Sequence, residues 1–172
     1  MSTTATFPKT LLGSILLVLI LVAPSRAAPD PLENVAQTQP ALILARALVA
    51  EAGYAARADH PAILHVLRRR GWRKDAVGDA LVALQYCSVF HDDVKTSQSE
   101  ILRHATWAYL QNAAPGVTRL AEQWTAGASI TDPCRGDALH WGSPADVERK
   151  AIAGNAVVPC GKTANVFLKA WR

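Results

Sequence analysis

Residues 44–54, LARALVAEAGY, end a helix-forming segment that begins near Pro40 and stops at Gly53. The stretch reads as the end of an amphipathic helix, whose apolar face needs cover from other elements. The spacing predicts a helix over 40–52, with the glycine placed to terminate it. Leu44, Leu48 and Glu51 fall at i, i+4 and i+7, which puts a carboxylate on the stripe that should be apolar. At a helix C-terminus Glu51 would face the negative end of the macrodipole, and on an apolar face it would lose water. Both effects disfavour the ionised form and raise a carboxyl pKa. A carboxylic acid that keeps its proton near neutral pH suits general-acid cleavage of a glycoside. The structural alternative is a helix that frays by residue 50 and leaves Glu51 solvated in a turn.

The chain opens with Lys9, the apolar run LLGSILLVLILVA, and then PSRAA with small residues at Ser25 and Ala27. This order reads as a signal peptide over 1–27, cleaved after Ala27. The run is shorter than the roughly 20 apolar residues a bilayer crossing needs. If the segment is not cleaved, it is the only expected contact with a membrane. The mature chain, 28–172, would be 145 residues, enough for one domain with a single core. Without Lys9 and Arg26 the 18 basic residues fall to 16 against 14 acidic ones, so the net charge drops from +4 to +2. The only dense basic cluster, Arg68–Arg70, sits where a helix should end. There cations suit the macrodipole and the last free carbonyls, so nucleic acid is not an expected partner.

Three cysteines allow three pairings with one thiol left over. Cys134 and Cys160 both lie in Gly/Pro-rich loops, TDPCRG and VVPCGK, which favours that disulfide in an exported chain. Cys87, after ALVALQY, reads as a buried small hydrophobe.

Along the chain, 28–39 (APDPLENVAQTQ) reads as a polar, proline-bearing linker, and 40–172 as the folded domain. A second helix should start at Asp59 or His60 as its cap, carry Pro61 in its first turn and stop at Gly71. A third should begin at Asp75. Residues 87–96 lack a period and read as a loop. Ser97 with Glu100 three residues later forms a capping-box pattern, opening a helix expected to run to about Ala113. GVTRLAEQWTAG fits another short helix. Beyond Thr131 the texture becomes loop-rich around a short strand at 138–141, a helix in PADVERKAIAG and a last strand within TANVFLKAW. The expected fold class is mainly α, an α+β domain with a two- or three-stranded element near the C-terminus.

His140 and Trp141 could together hold a sugar, the indole by stacking and the imidazole by hydrogen bonding. A structural histidine bonded to nearby backbone is the alternative. His60 and His65 are five apart, which misses the helical zinc-pair spacing, and the chain has no H-E-x-x-H. HDD at 91–93 could ligate a cation, but acidic residues are common in loops. G-x-S-x-G and S-x-x-K are absent, and GKT at 161–163 lacks the upstream glycine of a P-loop. The tryptophans at 72, 107, 124, 141 and 171 suit core or groove wall.

Three stretches together resemble the SleB-like cell-wall hydrolases, named for spore-cortex-lytic enzymes. LARALVAEAGY and then HPAILHVLRRR resemble the family's "LAR-x-x-x-x-E-A" helix and "A-I-x-x-V-L-x-R" segment. DPCRGDALHWGSP resembles "DP-x-G-A-x-H-aromatic-x-x-P", and CGKTANVFLK resembles the closing glycine, polar residue and strand. The matches span about residues 42–169 in order. The chain departs at Ala50, where the family has glycine, at AGYAARAD after the glutamate, and at QYCSVF in the middle. The resemblance implies a lysozyme-like domain that cuts peptidoglycan glycan strands, as a muramidase or lytic transglycosylase. It makes Glu51 the catalytic acid and His140, Trp141 and Asn165 substrate-binding residues, Asn165 being the polar residue before the last strand.

No second carboxylate stands at an obvious partner position, although Asp59, Asp132 and Asp137 are available. Substrate assistance by an N-acetyl group, ending in an anhydro sugar, is therefore slightly favoured over a two-carboxylate mechanism. No cofactor or metal is expected, the protein should be a monomer, and its location should be secreted or periplasmic. The rival expectations are a wall-associated glycan-binding protein without catalysis and a metal-dependent amidase.

Overall fold

A computed structural model describes residues 31–93, 96–136, 138–149 and 157–169. The proposed signal peptide, Asp137 and Trp171 lie outside these residues. The described chain is mainly helical, with helices α1 (Pro31–Thr38), α2 (Pro40–Ala52), α3 (Asp59–Arg70), α4 (Ala76–Tyr86), α5 (Ser97–Arg103), α6 (Trp107–Ala113), α7 (Pro115–Thr125) and α8 (Pro144–Arg149). A single 3-10 turn, Ser88–Phe90, follows α4. Strands β1 (His140–Gly142), β2 (Val157–Val158) and β3 (Val166–Leu168) form an antiparallel sheet in the order β1-β3-β2, which is the expected α+β class.

Helix α2 is the axis of the domain. Residues 42–49 are all buried, because α1, α3, α4, α5 and α7 surround it. A helix that is apolar all round belongs in a core, and truncating a residue such as Leu44 to alanine there typically costs about 2–5 kcal/mol. The one charged residue of that stretch, Arg46, donates from Nε and Nη2 to the Ala105 carbonyl at 2.9 and 2.7 Å. That carbonyl lies where the expected helix over 97–113 is broken. Thr106 then opens α6 by accepting the Tyr109 N–H, at 3.2 Å, so the one long helix becomes two. The capping box sits one residue earlier than the sequence pattern indicates. Thr96 and Ser99 exchange side-chain and backbone bonds, in place of Ser97 and Glu100.

Residues 31–38, within the segment read as a linker, form α1 and pack on α2 and α4. Leu32, Val35 and Ala36 make a short helical stripe behind Pro31, and Ala36 is fully buried. Two prolines and a polar composition concealed that stripe. Helix α3 is preceded by Ala58, so neither Asp59 nor His60 caps it; both side chains are used elsewhere. Asp75 caps α4 as expected, accepting the Gly78 N–H at 2.7 Å. A Cβ on Gly78 would stand 2.6 Å from Arg73, so no larger residue fits that first turn.

Cys134 and Cys160 are joined by a disulfide, and Cys87 is free and buried. The three arginines ending α3 are partly buried ties to other elements. Arg68 pairs with Asp79 at 2.7 Å and Arg69 with Asp132 at 2.5 Å. Arg69 also donates to the Ala138 carbonyl at 2.6 Å, which carries the loop before β1 onto α3.

Candidate active site

Glu51 lies in the last turn of α2, where the helix leaves the core. Its carboxylate accepts the Trp141 indole N–H at 3.0 Å and a backbone hydrogen bond from Ser88. Burial pushes its pKa up, against those two bonds and the nearby charge of His91. Desolvation therefore outweighs hydrogen bonding, and the side chain holds its proton to higher pH than an ordinary glutamate. Among the described residues it forms no ion pair. It neither frays into solvent nor lies in the dry core; it is half-buried in the wall of a cleft.

Three neighbouring hollows meet at this carboxylate and the residues beside it. One, of about 390 Å³, is lined by Glu51, Arg70, Tyr86, Ser88, His140 and Trp141. A second, of about 370 Å³, shares Glu51 and Trp141 and adds Asp146 and Asn165. A third, of about 140 Å³, shares Ala50 and Ser88 and extends towards Gln98. Trp141 thus stands between the first two as both wall and hydrogen-bond donor. It is held there by pairing opposite Phe167 across the β1–β3 ladder, with His140 opposite Leu168.

His140 is oriented by Arg70, whose Nη1 donates to its Nδ1 at 2.9 Å. Guanidinium can only donate, so Nδ1 is the acceptor and the neutral ring carries its proton on Nε2. Burial, and then the charge of Arg70, lower its pKa to about 4. At neutral pH the ring is an uncharged hydrogen-bonding group on the cleft wall.

Asn165 does not reach the Glu51 carboxylate. Its Nδ2 donates to the Glu51 backbone carbonyl at 3.3 Å and so satisfies one of the orphan groups at the end of α2. Asp59 in turn accepts the backbone N–H groups of Ala164 and Asn165 at 3.1 and 2.7 Å. His60, fully buried, accepts the Arg57 N–H on Nδ1 and donates from Nε2 to the Gly53 carbonyl at 3.0 Å. The turn after Glu51, with Gly53 at φ +87°, is thereby tied from both sides. Asp59 is a scaffold residue, not a partner for Glu51 in chemistry.

Asp132 is likewise structural. Burial acts to raise its pKa, but the Cys134 N–H and Arg69 overcome this and hold it below the usual carboxylate range. A groove carboxylate that sequence reasoning missed is Asp146, which bonds Ser143 Oγ at 2.7 Å on the wall beside Glu51. The S-P-A-D pattern at 143–146 was its only local signal, and that pattern indicates a helix cap. Arg70, Tyr86 and Ser88 were missed for a different reason: nothing local marks a residue as facing a cleft.

No known protein-family model matches the chain. Nor does any curated protein or solved structure. Among the described residues there is no group of three or more His, Cys, Asp or Glu side chains placed to hold a metal. The same residues include no helix long and apolar enough to cross a membrane, and the disulfide is compatible with an extracellular location.

Proposed function

We propose that the protein is an exported enzyme that cleaves the glycan strands of peptidoglycan, with Glu51 as its general acid. The observation that carries this reading is a glutamate with a raised pKa at the centre of an open cleft, held by an indole and unpaired with any described cation. The resemblance to the SleB-like hydrolases, whose catalytic glutamate aligns with Glu51, supports it. So does the gathering of Trp141, His140 and Asn165, distant in sequence, around one helix end.

In the proposed reaction Glu51 gives its proton to the glycosidic oxygen as the C1–O bond breaks. The substrate's N-acetyl oxygen covers the developing positive charge at C1. The Glu51 carboxylate then takes the proton of the sugar's own 6-hydroxyl as that oxygen bonds to C1, leaving an anhydro sugar and the protonated acid. Trp141 and the Ser88 backbone keep the carboxylate oriented through both transfers. Asp146 on the same wall favours a second reading, a muramidase in which it activates a water.

Mass spectrometry of digested, purified peptidoglycan tests both. Anhydro ends that persist in Asp146→Asn and vanish in Glu51→Gln support the lytic reading. Reducing ends that need both residues support the muramidase. Free amines without new sugar ends would point to an amidase, and retention on insoluble peptidoglycan without any fragments to a binding protein.

A further inference from the structure

One end of the Glu51 cleft is cationic, and the cleavage chemistry above makes no use of that charge. Arg68, Arg69 and Arg70 follow one another at the end of α3, yet they are differently employed. The first two are each neutralised by a carboxylate, Asp79 at 2.7 Å and Asp132 at 2.5 Å. Arg70 forms no ion pair among the described residues. Its guanidinium lies 3.5 Å over the Tyr86 ring, and Nη1 donates to His140 Nδ1 at 2.9 Å and to the Leu139 carbonyl at 3.4 Å.

Those contacts fix the guanidinium, unpaired with any described carboxylate, on the wall of the 390 Å³ hollow that also holds Glu51. A guanidinium stacked on an aromatic ring and held at one nitrogen is pre-organised to meet a planar anion.

Resting on the glycan-cleaving reading, we propose that Arg70 recognises a carboxylate carried by the substrate next to the bond that Glu51 protonates. The cleft would then select acid-bearing glycans over neutral amino-sugar polymers. On a peptidoglycan strand that carboxylate is either the lactyl acid of a muramyl sugar bared of its peptide or an acid of the attached peptide. The recognition chemistry is the same: a bidentate or single charge-assisted hydrogen bond to a planar anion.

Binding to the full chain carrying Glu51→Gln, measured by calorimetry, separates recognition from turnover. The ligands are peptide-free and peptide-bearing muramyl oligosaccharides, each also with its carboxyls reduced to alcohols, and neutral N-acetylglucosamine oligomers. Carboxylate-bearing ligands should bind about 10- to 100-fold more tightly than their reduced counterparts. Adding Arg70→Met should abolish that ratio, and adding Arg70→Lys should retain part of it. The reduced-ligand comparison needs no change at Arg70, so it holds even if Arg70→Met fails to fold.

An effect confined to peptide-free ligands assigns the lactyl acid. An effect confined to peptide-bearing ligands assigns the peptide, and both support the inference. Equal affinity for the carboxylate and alcohol forms of both the peptide-free and the peptide-bearing ligands overturns it while leaving the glycan reading intact. No affinity for any of the glycans overturns that reading, and the inference with it.

Discussion

Two carboxylates in this molecule each accept a tryptophan indole N–H, and they serve opposite purposes. Asp79 is fully buried; it takes the Trp124 N–H at 2.6 Å and both Nε and Nη2 of Arg68. Glu51 takes the Trp141 N–H at 3.0 Å but has no cation paired with it among the described residues, and it opens on a cleft. A carboxylate given a cation and closed off from water is a strut joining α3, α4 and α7. One that is desolvated and left unpaired holds its proton to higher pH than an ordinary carboxyl, which is the direction an acid catalyst needs. The indole alone distinguishes nothing; the counter-charge and the opening to solvent do.

The sharpest break in this comparison is expected at Glu51. Glu51→Gln should lower the rate of glycan cleavage by about 10²–10⁴-fold, read as fragments released from peptidoglycan, while the circular dichroism spectrum stays that of the parent. Cleavage at an unchanged rate would remove Glu51 from the chemistry.

Asp79→Ala should show the reverse pattern. It leaves the Arg68 guanidinium and the Trp124 N–H without their partner, and breaking a buried pair in this way typically costs about 3–5 kcal/mol. Denaturant unfolding should register that loss. A variant as stable as the parent would mean that the Asp79 cluster is not the strut described.

Asn165→Ala falls between the two. It removes one hydrogen bond to the Glu51 carbonyl, worth roughly 0.5–1.5 kcal/mol, and should lower turnover more than stability because that bond positions the end of α2. Equal percentage losses in both would reduce Asn165 to packing.

The smallest effect is one of pH. Because the folded-state pKa of Glu51 is raised from 4.5, its contribution to stability is fully present below that value and is lost as pH rises through the folded pKa. Glu51→Gln should therefore be more stable than the parent at neutral pH, and the difference should vanish in acid. Melting temperatures of the two proteins from pH 4 to 8 check the sign. If the proposed chemistry holds, turnover by the parent protein should fall on the alkaline side as Glu51 ionises. It should also fall on the acid side near pH 4, where His140 gains a proton and loses its Nδ1 acceptor for Arg70.

Much of the helical frame could be read locally. Pro40 and Gly53 bound α2 and Asp75 caps α4, because these residues act through their own φ angle or an adjacent N–H group. The same local rules failed where a distant residue intervened. The break at 104–106 is stabilised by Arg46, 59 residues away, and α1 forms because its faint stripe lands on α2 and α4. Asp59 looked like a helix cap but is held instead by backbone groups about 105 residues further on.

The sequence by itself determined the helical class, the small sheet near the C-terminus, the pairing of Cys134 with Cys160 and the oddity of a glutamate on an apolar stripe. Each of these depends on spacing along a few residues or on the character of a loop. Only the tertiary structure decided the surroundings of that glutamate. Trp141 is 90 residues from Glu51, and Arg70 is 70 residues from His140. Whether a carboxyl keeps its proton depends on the water, charges and donors within a few ångströms of it. Those neighbours are brought together by packing around α2, and no local pattern records them.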